Sequence, residues 1–152
     1  MHPNEKLITK FYTAFQERDA KTMASCYARG AEFSDPVFPD LHGAEVARMW
    51  RMLNARAKDL DVTFDGVVAD DEVGEARWVA TYTFASTGRR VRNVIHASFA
   101  FEGGKIVQHV DGFSFWRWSR QALGPAGWLL GWTPLLRRKV RKDAAARLAA
   151  WR

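Results

Sequence analysis

The chain has one cysteine, Cys26, which excludes an internal disulfide and a cysteine-built zinc site. A reduced, cytoplasmic setting is the expectation that follows. No apolar run approaches the roughly 20 residues that a membrane-spanning helix needs. Met1 to Asn4 leads straight into Glu5 and Lys6, without the apolar stretch of a secretory signal. There is no Gly-x-Ser-x-Gly element for a serine nucleophile and no glycine-rich phosphate cradle. There is also no internal repeat and no low-complexity linker. His42, His96 and His109 lack the tight spacing of a metal-ligand set, so neither a metal nor a cofactor is expected.

What is present is an ordinary globular composition, with 47% apolar and 26% charged residues. At 152 residues the chain can bury one sizeable core. The net charge of +6 is unevenly spread. Residues 117–152 carry nine Lys and Arg against one acid, Asp143, whereas residues 1–116 carry fourteen against sixteen acids. The basicity therefore belongs to the tail, and the chain divides into a folded domain, 1–118, and a basic, Trp-rich helical extension, 119–152. A basic terminal helix suits a membrane surface, a partner protein or plain solvation. Nucleic acid calls for a basic domain surface and is the weaker fit.

Along the chain, Asn4 is placed to cap a helix running to about Arg18, with Leu7, Ile8, Phe11, Ala14 and Phe15 on one face. Asp19 caps a short second helix, and 31–34 reads as extended. Glu45 to about Lys58 reads as a third helix with Val46, Met49, Trp50 and Leu53 inward. The period then changes to two, and strands are expected at about 60–69, 73–85, 90–102 and 105–118. Thr87-Gly88 and Gly103-Gly104 supply the turns between them. Thr133-Pro134 starts a last helix whose stripe is Leu136, Val140, Ala144, Leu148 and Trp151. Helices followed by a meander indicate an α+β fold.

Asp35 precedes Pro36, which holds it away from helical angles on a fixed bend. There it can point into a cavity, where burial would raise its pKa and make it a base near neutral pH, or it can make an Asx-type turn. His109 and Asp111 lie two apart on one strand face, so the carboxylate can orient the ring. His96 shares a face with Arg92, Val94 and Ser98. Burial favours the opposite face, Ile95, Ala97, Phe99 and Phe101, as the inner one unless a bulge or a dimer covers both. Tyr12 and Tyr82 offer hydroxyls. Phe11, Phe15, Trp50, Trp78, Tyr82 and Phe113 would line an apolar site for a small-molecule ligand.

The segment Tyr27-Ala-Arg-Gly-Ala-Glu-Phe-Ser-Asp35-Pro36, a helix after Gly43 and a closing meander resemble the nuclear transport factor 2-like superfamily. Within it the chain resembles SnoaL-like and ketosteroid isomerase-like proteins over about residues 4–118. The resemblance implies a cone-shaped α+β barrel, with N-terminal helices packed on a curved, mostly antiparallel sheet around an apolar pocket. It implies that Asp35 stands where ketosteroid isomerases carry their catalytic base. Phe11, beside Tyr12, falls at the oxyanion tyrosine and His96 at the protonated aspartate. SnoaL-like polyketide cyclases resemble the stretch Gly104-Lys-Ile-Val-Gln-His109-Val-Asp111, which makes Asp111 a second base. The expected activity is metal-free acid–base chemistry (isomerase, cyclase, dehydratase or hydrolase) on an apolar carbonyl compound, using Asp35, His96, Asp111, His109 and Tyr12. The alternative is a non-catalytic ligand-binding module. A homodimer through a second apolar sheet face is expected, and the basic tail could hold the chain at a membrane periphery.

Overall fold

The computed structural model describes residues 1–151. Helix α1 (Pro3–Gln16) begins at His2 rather than Asn4. The His2 ring accepts the Asn4 N–H and Glu5 reaches back to the His2 N–H, while Pro3 takes the first helical position, where its missing donor is harmless. Asn4 instead ties the helix to the 70–73 turn, donating to the Asp70 carbonyl. Asp19 caps α2 (Ala20–Ser25) as expected. Then come β1 (Tyr27–Ser34), a two-residue β2 (Leu41–His42) and α3 (Ala44–Arg56).

The meander follows as β3 (Asp61–Ala69), β4 (Val73–Phe84), β5 (Arg89–Glu102) and β6 (Lys105–Gly112). Gly103 and Gly104 both adopt positive φ, which the β5–β6 turn requires. The six strands form one sheet in the order β2-β1-β6-β5-β4-β3. Among the described residues β1 and β6 pair in parallel, and the other pairings are antiparallel. Ile8, Phe11, Tyr12 and Phe15 of α1 and Trp50 of α3 pack into the hollow of the curled sheet against Trp78, Phe99 and Phe101. This is the α+β cone.

Two strand readings need correction. Burial alternates along β5 with Val91, Asn93, Ile95, Ala97, Phe99 and Phe101 inside, so His96 faces solvent. Exposed Glu75, Arg77, Arg92, His96 and Ser98 share that outer face with Val73, Val79, Val94 and Val110, so it is mixed in character. On β6, Val107 is an extra residue between the pairs Phe101–Ile106 and Ala100–Gln108. This bulge sends both Ile106 and His109 inward, where an ideal strand would place Val107 with His109.

The last strand also ends early. Ser114 accepts the Arg117 N–H and caps α4 (Phe115–Leu123), so Phe115 and Trp118 are helical residues, and a domain boundary at 118/119 falls inside a helix. The β5 residues before His96 have no β6 partner. Helix α4 covers that free edge: Gln121 Oε1 accepts the Arg92 N–H at 2.8 Å, and Phe115, Trp118 and Ala122 pack on Val91. Burying Phe115 and Trp118 contributes about 1.5–3 kcal/mol each. Helix α5 (Pro125–Leu130) turns back along α4, and α6 (Pro134–Ala150), capped by Thr133, returns to the cone. Val140 joins the α4 cluster, while Ala144, Leu148 and Trp151 pack on the main core.

Gly127 sets the α4–α5 approach, because a Cβ there would run into the Ser119 carbonyl. Gly127→Ala should therefore lower stability by about 1–3 kcal/mol. Urea unfolding checks this, and an unchanged midpoint would mean that the two helices do not touch there.

Candidate functional site

Strand β6 delivers His109 and Asp111 to the inner face of the cone, at 0% and 3% exposure. His109 Nε2 lies 2.8 Å from Asp111 Oδ1, and its Nδ1 lies 2.7 Å from the Tyr27 hydroxyl. Trp50 Nε1–H donates to the Tyr27 oxygen at 3.0 Å, and Trp78 Nε1–H donates to Asp111 Oδ1 at 3.3 Å. One proton arrangement satisfies the whole chain. Asp111 Oδ1 accepts from His109 Nε2–H and from Trp78. His109 Nδ1 accepts from Tyr27, and the Tyr27 oxygen accepts from Trp50. Aromatic rings enclose this chain: Phe99, Phe33, Phe11 and Trp50 all stand within 6.2 Å of the His109 ring centre.

Tyr12 lies in the same interior, stacked on Phe64 and tilted against Trp78. Its hydroxyl is buried and has no hydrogen-bond partner among the described residues. Burial first, then the Asp111 charge, raises the Tyr12 pKa well above that of an ordinary phenol, so it stays a neutral donor. The same two causes act on Tyr27, partly opposed by the Trp50 hydrogen bond.

Asp35 sits at the mouth of the cone, where β1 ends. It makes the Asx-type turn: Oδ1 accepts the N–H groups of Val37 at 2.7 Å and Phe38 at 2.6 Å. Even so its pKa rises from 3.8 to about 7. Burial is the main cause and the Asp111 charge adds to it. The two turn hydrogen bonds and the Arg141 cation pull the other way. Arg141 comes from α6, and its Nε–H holds the Pro36 carbonyl at 2.9 Å. Tyr82 faces the same mouth. Its hydroxyl accepts Trp118 Nε1–H at 2.8 Å, and its pKa is raised by burial and, to a lesser degree, by Asp35. Val37, Tyr82 and Phe113 touch both hydrophobic clusters, so they mark the seam between the cone interior and the tail helices.

The structure thus buries Tyr12, His109 and Asp111 in the interior, sets Asp35 at its mouth, and leaves His96 outside, because the pleat of β5 turns it to solvent. The buried polar residue on the inner face of β5 is Asn93. Phe11, Phe15, Trp50 and Trp78 are packed core side chains that fill the cone, while Tyr82 and Phe113 are half-buried at the seam. Two clefts, of about 590 and 450 Å³, lie elsewhere on the surface. Tyr27 and Arg141 are the participants that the sequence reading missed. Tyr27 could have been found as a hydroxyl on an inward strand next to an apolar helix. Among the described residues no three His, Cys, Asp or Glu side chains gather as metal ligands would, and no helix is long and apolar enough to cross a membrane.

Residues 8–109 match the family model for the SnoaL-like domain. The chain belongs to this SnoaL-like family. The match ends at His109, so Asp111 and all three tail helices of this SnoaL-like chain lie beyond it. A search of curated proteins finds no match. Solved structures share the fold, one of them described as an NTF2-like protein of unknown function from Burkholderia pseudomallei. A protein with a ketosteroid isomerase-like fold from Catenulispora acidiphila, in complex with trimethylamine, is similar at TM-score 0.70 and 15% identity, over 88% of this chain and 100% of that one. An epoxide hydrolase of the LEH-like type from M. tuberculosis follows at 0.67 and 17%, over 84% and 96%. A proposed polyketide cyclase from Streptomyces antibioticus is similar at 0.66 and 20%, over 79% and 98%. At such identities the likeness is one of fold.

Tyr27→Phe should leave Trp50 Nε1–H and His109 Nδ1 unpaired in an aromatic interior, at a cost of about 1–3 kcal/mol. A urea midpoint equal to that of the unaltered protein would show that this hydrogen-bond chain does not support the fold.

Proposed function

We propose that this SnoaL-like chain binds an apolar carbonyl-type small molecule at the mouth of the cone and performs metal-free acid–base chemistry on it. Asp35 is the base that removes a proton next to the carbonyl or activates a water. Tyr82, half-buried at the same mouth with its oxygen accepting from Trp118, donates to the oxygen on which negative charge develops. His109 and Trp78 donate to Asp111 and hold it in place, and Tyr27 orients His109.

One observation carries this reading. The Asp35 carboxyl and the Tyr82 hydroxyl share the mouth of the cone: the turn occupies only Asp35 Oδ1, and the Tyr82 oxygen accepts from Trp118 while its proton has no acceptor among the described residues. A base with a pKa near 7 and a donor without an acceptor are complementary halves of enolate chemistry. Relatives of this fold described as an epoxide hydrolase and a proposed polyketide cyclase support reactions of this broad type. The second reading, a binding module without turnover, is favoured by how completely His109 and Asp111 are satisfied by the protein's own groups.

Screening aromatic and polycyclic ketones by thermal shift identifies a ligand. Asp35→Asn and Asp111→Asn then separate the two readings. Asp35→Asn should lower kcat/KM about 10²–10⁴-fold, and the unaltered enzyme's rate should rise with pH through about 7 as Asp35 ionises. Undiminished turnover in both variants would refute the catalytic reading, whereas binding without turnover in the unaltered protein would support the module.

Stability should move in the opposite direction with pH. Folded Asp35 keeps its proton up to about pH 7, while the unfolded chain releases it near 3.8. Between these values the folded state binds more protons, so this group's contribution to stability falls as pH rises and levels off above about 7. Asp35→Asn keeps the Oδ1 acceptor and removes the charge. It should be the more stable protein at pH 8, by at most about 4 kcal/mol, with the gap closing towards pH 4. Urea unfolding at the two pH values measures it.

A further inference from the structure

The tail is two-sided. The inward stripe of α6 is satisfied by the cone, with Leu148 at 5% exposure. Yet the segment 128–135 leaves Trp128, Leu129, Leu130, Trp132 and Leu135 at 50% to 78% exposure. Nothing among the described residues covers them.

Cations flank these apolar residues on both sides. Arg138, Lys139 and Lys142 follow Leu135 at helical spacings of three, four and seven on α6, and all are exposed. On the other side, Trp128 forms a cleft of about 590 Å³ with Arg89, Arg90, Arg120 and Gln121. The Arg120 guanidinium lies over the Trp116 and Trp128 rings, 4.7 and 5.2 Å from their centres. Arg90 is partly neutralised by Asp59, and Lys139 by Asp143. Arg120, Arg138 and Lys142 form no ion pair among the described residues.

We infer that this face docks the chain on an anionic phospholipid bilayer, with Trp132, Leu129, Leu130 and Leu135 entering the interface and the arginine cleft facing lipid phosphates. Tryptophan and leucine ringed by Arg and Lys is the composition that an interfacial segment needs. A second copy of this chain fits poorly, because a two-fold contact would press the Arg138 and Lys142 cluster against its own image. Nucleic acid would leave Leu129, Leu130 and Leu135 with no apolar surface to bury them.

Docking by this face leaves α6 packed on the cone mouth through Val140, Ala144 and the Arg141–Pro36 bond. Removing residues 133–152 would strip Leu148 and Trp151 from the core, so point changes at exposed positions make the cleaner test. The full-length protein is sedimented with phosphatidylcholine vesicles, with and without phosphatidylglycerol. It should bind the mixed vesicles, and binding should weaken as salt rises. The double variant Trp132→Ser/Leu135→Ser should lower affinity at least about tenfold. Arg138→Gln/Lys142→Gln should lower it about fivefold per charge. Both variants should keep the circular dichroism and melting profile of the unaltered chain. Failure to bind mixed vesicles, equal binding to neutral ones, or full binding by the Trp132→Ser/Leu135→Ser variant would overturn the inference. So would a dimer that this variant dissolves without changing vesicle binding.

Discussion

A carboxylate at 3% exposure among aromatic rings is stable only if donors are brought to it, and Asp111 draws them from across the fold. His109 comes from its own strand and Trp78 from β4. His109 must then be satisfied at its other nitrogen, which engages Tyr27 of β1, and Tyr27 engages Trp50 of α3. The hydrogen-bond chain therefore spans three strands and a helix. Its geometry fixes how the sheet curls around α3, since each donor would otherwise be left unpaired in a medium that offers no water.

The charge held at Asp111 also organises what surrounds it. It helps to keep Tyr12 and Tyr27 protonated and adds to the burial that raises Asp35. The turn at Pro36 and Arg141 oppose that rise, but burial outweighs them and the Asp35 pKa stands at about 7. Arg141 belongs to the tail, so the extension is coupled to the mouth of the cone. Helix α4 is coupled as well, because it replaces β6 along the free half of β5 and sends Trp118 to the Tyr82 hydroxyl. The same extension leaves its tryptophan–leucine turn uncovered, so its two faces meet different surroundings.

Much of this was legible in the residues. The caps Asp19 and Thr133, the Gly103-Gly104 turn and the alternation along β4 and β5 report local preferences that the fold respects. His109 and Asp111, two apart on a strand, were readable as a pair because the pleat alone puts them on one face. The errors arose where a local signal competed with a distant one. The ungapped family match drew His96 toward the interior, while the burial pattern of Ile95, Ala97, Phe99 and Phe101 pointed the other way, and burial prevailed. Period-two spacing predicts that the last strand runs on to 118, but the Ser114 side chain accepts the Arg117 N–H and starts a helix instead.

The sequence by itself determined the types of the main cone elements, the order of helices before meander, and the separation of a basic tail from a slightly acidic domain, but not helices α4 and α5. These follow from backbone preference, periodicity and charge, which act over a few residues. Tertiary structure decided which polar groups share the interior. Tyr27 stands 82 positions from His109 and Arg141 stands 105 from Pro36, and no local rule brings them together. It also decided that Asp35 is at once a turn residue and a carboxyl shifted towards neutral pH. The turn depends on three adjacent residues, but the shift depends on how much water and how much distant charge the folded chain leaves around it.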